Sequence, residues 1–148
     1  MSKLFDGGLD YNQRSSSHKN KINSAIILAA GRRLDFDMPV AFLEIEGKPL
    51  IERTIDILYA NDIDNITIVT GYKSEYFDGL AKKNPKIKLL KNKNYRHTGT
   101  MKSLASAKEF IDGDFLLLES DIIFEEKAIK KLLQTKMELI RYGQFFLQ

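Results

Sequence analysis

Apolar and polar positions along the chain fall into two periods, and the changes between them mark out elements. Residues 25–30, "AIILAA", form an unbroken apolar run, the pattern of a strand buried on both faces, and Gly31 ends it. In "EIEGKPLIERTIDILYAN", Gly47 stands just before a helix and Pro49 falls in its first turn, where a missing N–H costs nothing. Ile51, Ile55 and Leu58 then share one helical face. "NITIVTGY" predicts a second strand, ended by Gly71. Ser74 is the expected N-cap of a helix that buries Phe77, Leu80 and Ala81 and stops at Asn84, before Pro85. "IKLL" predicts a short strand, and Met101, Leu104, Ala105 and Lys108 follow helical spacing behind a Thr98 or Thr100 cap. "FLLLES", residues 115–120, is the strongest buried-strand pattern. A last helix from near Glu125 buries Ile129, Leu132 and Leu133.

Strands separated by helices of this length predict an α/β fold with a parallel sheet covered on both faces. Residues 1–23 are polar and rich in Ser, Asn and Lys, the composition of a mobile tail or a linker from an upstream domain. Residues 24–148 are expected to form the folded domain. The closing "MELIRYGQFFLQ" is apolar with nothing after it to pack beside, so the chain reads as cut short. Such an end could also recruit a partner subunit.

Composition narrows the class without changing this picture. Hydrophobic content of 43% and charged content of 29% suit a soluble globular domain. No run has the length of a membrane helix and no apolar core of a signal peptide precedes residue 24, so a cytoplasmic protein is expected. The absence of cysteine excludes disulfides, a thiolate zinc site and a cysteine nucleophile. The net charge is +3, yet residues 79–108 carry nine Lys or Arg and no acid. That block could face nucleic acid, form a solvated rim, or attract a phosphate-rich small molecule. Lysine dominates it and Tyr95 is its one aromatic residue, which disfavours nucleic acid.

In an open parallel sheet, ligands bind beyond the carboxyl ends of the strands. The strands deliver "AAGRR", "TGYK", "KNKNYRHTGT" and "ESD" there. Glycines let backbone N–H groups approach phosphates, and Arg32 and Arg33 would neutralise them. Asp121 suits a hard cation such as Mg²⁺, which takes carboxylates together with phosphate oxygens. The bland alternatives are a plain turn at Gly31, a capping role for Asp121 and a structural role for Glu119 within its strand. His18 and His97 have no metal-spaced partner, and neither a Walker A pattern nor G-x-G-x-x-G occurs.

"IILAAGRRL", "FLEIEGKPLIERTIDIL", "ITIVTGYKSE" and "FLLLESDIIFEE" stand in the order seen in nucleotidyltransferases of the sugar-nucleotide and molybdenum-cofactor type. The chain resembles that family over residues 24–135. Its "TGYKSEYFDGLA", "HTGTMKSLASA" and "LLLESDIIFE" are most similar to cytidylyltransferases that activate 2-aminoethylphosphonate or phosphocholine, with "TGTMKSL" and "LLLESD" pointing to the aminoethylphosphonate branch. The resemblance implies a Rossmann-like three-layer α/β/α fold with a mostly parallel sheet, incomplete at its C-terminal end. It implies transfer of a cytidylyl group from CTP to a phosphonate or phosphate acceptor, with Mg²⁺ as cofactor and neither nucleic acid nor membrane as partner. Ala29, Ala30 and Gly31 would contact the nucleotide through backbone, and Arg32 or Arg33 would hold the leaving pyrophosphate. Gly99, Thr100 and Ser103 would lie by the cytosine and ribose, and Asp121 would hold the metal.

Departures from the family pattern imply impaired turnover. "AAGRRLDFDMPVAF" is a shortened loop without the family's second glycine, and Val40 follows Pro39 where the family has lysine. Losing a preorganised donor at developing charge typically costs ~2.7–4 kcal/mol. Lys48 is the nearest candidate to stand in for it. The family also continues past this endpoint, with acceptor contacts and a second acidic metal ligand. Two alternatives remain: a catalytically inactive nucleotide-binding remnant, and a sugar-phosphate nucleotidyltransferase.

Overall fold

The computed structural model describes residues 21–134 and 146–147. In chain order, β1 (Ser24–Ala29) leads to a hairpin of β2 (Glu44–Ile45) and β3 (Lys48–Pro49), then α1 (Leu50–Ala60), β4 (Asn65–Thr70), α2 (Asp78–Lys83) and β5 (Ile87–Lys91). The helix α3 (Thr100–Lys108), β6 (Leu116–Glu119), α4 (Glu126–Gln134) and β7 (Phe146–Leu147) complete it. Five strands form one sheet in the order β5-β4-β1-β6-β7, every neighbouring pair parallel. The expected three-layer Rossmann-like α/β/α architecture is therefore present.

β1 is the centre of this sheet because it offers apolar side chains to both faces. Ala25, Ile27 and Ala29 join Ile51, Ile55 and Leu58 of α1, Leu80 of α2 and Ile129 of α4 in one core. Ile26 meets Val69, Leu117 and, from α3, Leu104 and Ala107 in the other. Fully burying each large aliphatic side chain contributes ~1.5–3 kcal/mol, so the two cores rather than exposed ion pairs hold the layers together. The chain winds outward from β1 to β4 and β5, then returns to the far side of β1 as β6. That reversal opens a crevice at the carboxyl ends of β1 and β6.

Several local expectations are corrected. Gly47 serves the β2–β3 turn, where Glu46 and Gly47 both have positive φ (52° and 73°), and Pro49 caps α1 instead of lying inside its first turn. Ser74 is no side-chain cap; Ser74–Phe77 is a 3₁₀ turn behind Lys73, which is left-handed, and Ala81 is only half-buried. Gly99 caps α3 by backbone alone, and the buried stripe of that helix includes Ser103, Leu104 and Ala107, with Ala105 and Lys108 exposed. The folded region reaches back before residue 24, since Ile22 packs on the core and Lys21 pairs with Asp62 at 2.6 Å. Residues 1–20 and 135–145 lie outside the described residues, but Phe146–Leu147 adds a strand beside Leu117 and Leu118. Among the described residues, no helix is long and apolar enough to cross a membrane.

Candidate functional site

A cleft of about 220 Å³ occupies the crevice. Residues 28–33 leaving β1 form one wall and Glu119–Asp121 leaving β6 another; Pro39, Val40, Tyr95, Thr98 and Ser103 close it. The Ser120 N–H donates to the Leu28 carbonyl at 3.1 Å, which carries the β1–β6 pairing to the rim and holds Asp121 beside the β1 loop. Nothing lies within 4 Å of where a Gly31 Cβ would be, so its backbone is open to a ligand.

The two arginines are held differently. Arg33 Nη1 lies 3.7 Å from Asp121 Oδ2, with 61% and 36% of the side chains exposed, a contact weak enough to exchange for a ligand. Arg32 stacks its guanidinium 5.2 Å above the Tyr72 ring, which Lys73 also approaches at 5.6 Å. Lys73 further donates to the Asp37 carbonyl, tying the exposed loop after Arg33 to the end of β4. Tyr72 packs 6.4 Å from Tyr95, and Arg96 covers Tyr95 while donating Nε to its hydroxyl at 3.3 Å. That hydrogen bond holds Arg96 still more firmly in its charged form.

Ala29, Ala30, Gly31, Arg32, Arg33, Ser103 and Asp121 are thus brought together. Gly99 opens α3 but is not among the residues lining the cleft, and the side chain of Thr100 lies outside the described residues. Lys48 is not brought there either: it runs along α1 to pair with Asp56 and borders a separate groove with Glu52 and Lys83. Val40, by contrast, lines the cleft. Gly71 serves packing and not phosphate approach, because a Cβ there would lie 2.7 Å from both the Ala30 carbonyl oxygen and Tyr95 Cβ.

Asn92, Thr98, Tyr72 and Tyr95 were not foreseen as site residues. Asn92 Nδ2 donates to Thr98 Oγ1 at 2.8 Å and Ser103 Oγ at 2.9 Å, so a polar network replaces apolar packing under this wall. The spacing Asn92-x-Asn94, an Asx-turn signature, was its one sequence sign.

Glu119 and Asp121 are the carboxylates of the cleft, and among the described residues no group of three His, Cys, Asp or Glu could hold a metal. This donor set fits a cation completed by phosphate oxygens, the usual habit of Mg²⁺, and not a fully protein-built metal cage.

The basic block spreads over α2, β5, the following loop and α3, and Lys83 and Lys86 within it pair with Glu52 and Asp64. Known proteins resemble the chain over most of its length. A choline-phosphate cytidylyltransferase of Haemophilus influenzae is 38% identical over 105 residues, 68% of this chain and 44% of the relative. The bifunctional protein GlmU of Methanococcus maripaludis is 36% identical over 107 residues, 69% of this chain and 25% of the relative. The solved structure of the CTP:phosphocholine cytidylyltransferase LicC from Streptococcus pneumoniae superposes with a TM-score of 0.63 at 34% identity, covering 71% of this chain and 48% of that one. The chain therefore spans a quarter to about half the length of these relatives. The family profile described as the MobA-like NTP transferase domain matches residues 25–138, around the same cleft, and the chain belongs to that family.

Proposed function

We propose that the cleft binds CTP and transfers its cytidylyl group to an oxygen of a small phosphate or phosphonate acceptor, phosphocholine or 2-aminoethylphosphonate, in the cytoplasm. The observation that carries this reading is the convergence of an open Gly31 backbone, Arg33 and Asp121 in one cleft where the sheet order reverses. In the reaction the acceptor oxygen bonds to the α-phosphorus, the bond from that phosphorus to the bridging oxygen breaks, and its electron pair leaves with pyrophosphate. The protein positions these groups and stabilises charge.

Backbone around Ala29–Gly31 receives the nucleotide, Arg33 turns from Asp121 to the phosphates, and Arg32 reinforces the positive field from its seat on Tyr72. Asp121, with Glu119 nearby, would hold Mg²⁺, which neutralises phosphate charge when bound. Val40 offers neither charge nor hydrogen bond, so this reading expects slow turnover.

Pyrophosphate release from CTP in the presence of phosphocholine or 2-aminoethylphosphonate tests the proposal. Slow, acceptor-dependent release that rises in Val40→Lys supports it. Tight CTP binding with no turnover in either protein favours a nucleotide-binding remnant, the reading that Val40 in the cleft wall itself suggests. Release with a sugar phosphate alone would move the acceptor to that class.

A further inference from the structure

We infer that Asn92 is a positioning residue: it sets the hydrogen-bond polarity of the Thr98–Ser103 wall so that Ser103 presents a donor to the base of the bound nucleotide. This rests on the nucleotide-binding reading above. Asn92 does not line the cleft itself. Its N–H donates to the Thr70 carbonyl at 2.7 Å, which fastens it to the end of β4. Its side-chain oxygen accepts the Asn94 N–H at 3.0 Å. A backbone N–H can only donate, so that contact fixes which end of the amide is oxygen and turns Nδ2 toward the wall.

Both Nδ2 protons are then committed, one to Thr98 Oγ1 and one to Ser103 Oγ. Each hydroxyl has a single proton of its own. Thr98 gives its proton to the Asn94 carbonyl at 3.0 Å and so faces the cleft as an acceptor. Ser103 Oγ accepts from Asn92, which leaves its proton to be donated from a residue only 5% exposed yet lining the cleft. A donor at that point matches a ring nitrogen or carbonyl oxygen of a base.

Asn92→Asp tests this because it keeps the acceptor for the Asn94 N–H while reversing the other contacts. A carboxylate can only accept, so Ser103 must turn its proton away from the ligand. Titrations with CTP and with base-free ribose 5-triphosphate separate this from the added charge, which acts on both ligands alike. The Kd for CTP should rise about tenfold more than that for ribose triphosphate, the scale of one hydrogen bond. Ser103→Ala alone should produce the same selective loss, and combining it with Asn92→Asp should add little to it. Equal loss on both ligands, or an unchanged ratio in Ser103→Ala, would reduce Asn92 to a structural residue. A wild-type protein that binds neither ligand would overturn the nucleotide reading and this one with it.

Discussion

A Cβ at position 71 would meet the Ala30 carbonyl and Tyr95 at once, at distances no real side chain tolerates. Gly71→Ala is therefore expected to lower stability by about 1–3 kcal/mol, measured by denaturant unfolding, since backbone and not a flexible tip must move. The same crowding explains why Tyr72 and Tyr95 stand side by side as seats for Arg32 and Arg96. The two arginines of the β1 loop should consequently differ in a binding titration. Arg33→Ala should weaken triphosphate binding ten- to a hundredfold, the loss of a charge-assisted contact of about 1.5–3 kcal/mol. Arg32→Ala should cost less, because its cation is already engaged with an aromatic face. Equal losses at both positions would contradict this division of roles. Reading residues in order could not separate the pair, since the aromatic partner arrives from the end of another strand.

Among elements, those with continuous or strongly periodic apolar patterns were legible: β1, β4, β6 and the Ile51–Ile55–Leu58 face of α1 stand where the pattern put them. The β2–β3 hairpin was not, because strands of two residues hold no readable alternation. α3 was found, but the place of Ser103 on its inner face was not. Ser103 is buried by accepting from Asn92 rather than by being apolar, and hydrophobic spacing cannot show that. The glycine- and arginine-bearing exit of β1 and Asp121, two residues past β6, line one cleft as their places at strand ends suggested, whereas Lys48 lies elsewhere because its β3 strand sends it along α1 to Asp56.

Ion pairs between elements should matter less than cores. Lys86 holds the Asp64 carboxyl below its usual range, chiefly through their hydrogen bond, and Asp64 raises Lys86 in return. The Asp64 contribution is present above the unfolded carboxyl pKa and fades as pH falls through the lower folded value. The Lys86 contribution is present below the ordinary lysine pKa and fades as pH rises through the raised one. Lys86→Met should thus lower the neutral-pH Tm only slightly, because both side chains are exposed, and its difference from wild type should vanish in acid once Asp64 is protonated. Phe77→Ala, which empties a fully buried site against Phe42, should cost about 3–5 kcal/mol in the same unfolding assay.

For the molecule as a whole, the parallel sheet places two exits, from β1 and β6, on either side of one crevice, and a positive loop meets an acidic strand tip there. On the nucleotide account this crevice is the binding edge, and Val40, which lines it without a polar side chain, would limit chemistry more than affinity. Binding and turnover can therefore part company in this chain, so binding is the more direct test. The decisive measurement is a calorimetric titration with CTP, ATP and GTP in the presence of Mg²⁺, on the wild type and on Asp121→Ala. The nucleotide account expects CTP to bind in preference to ATP and GTP, and Asp121→Ala to weaken it about tenfold or more. No heat with any triphosphate, or CTP binding indifferent to Asp121→Ala, would contradict it.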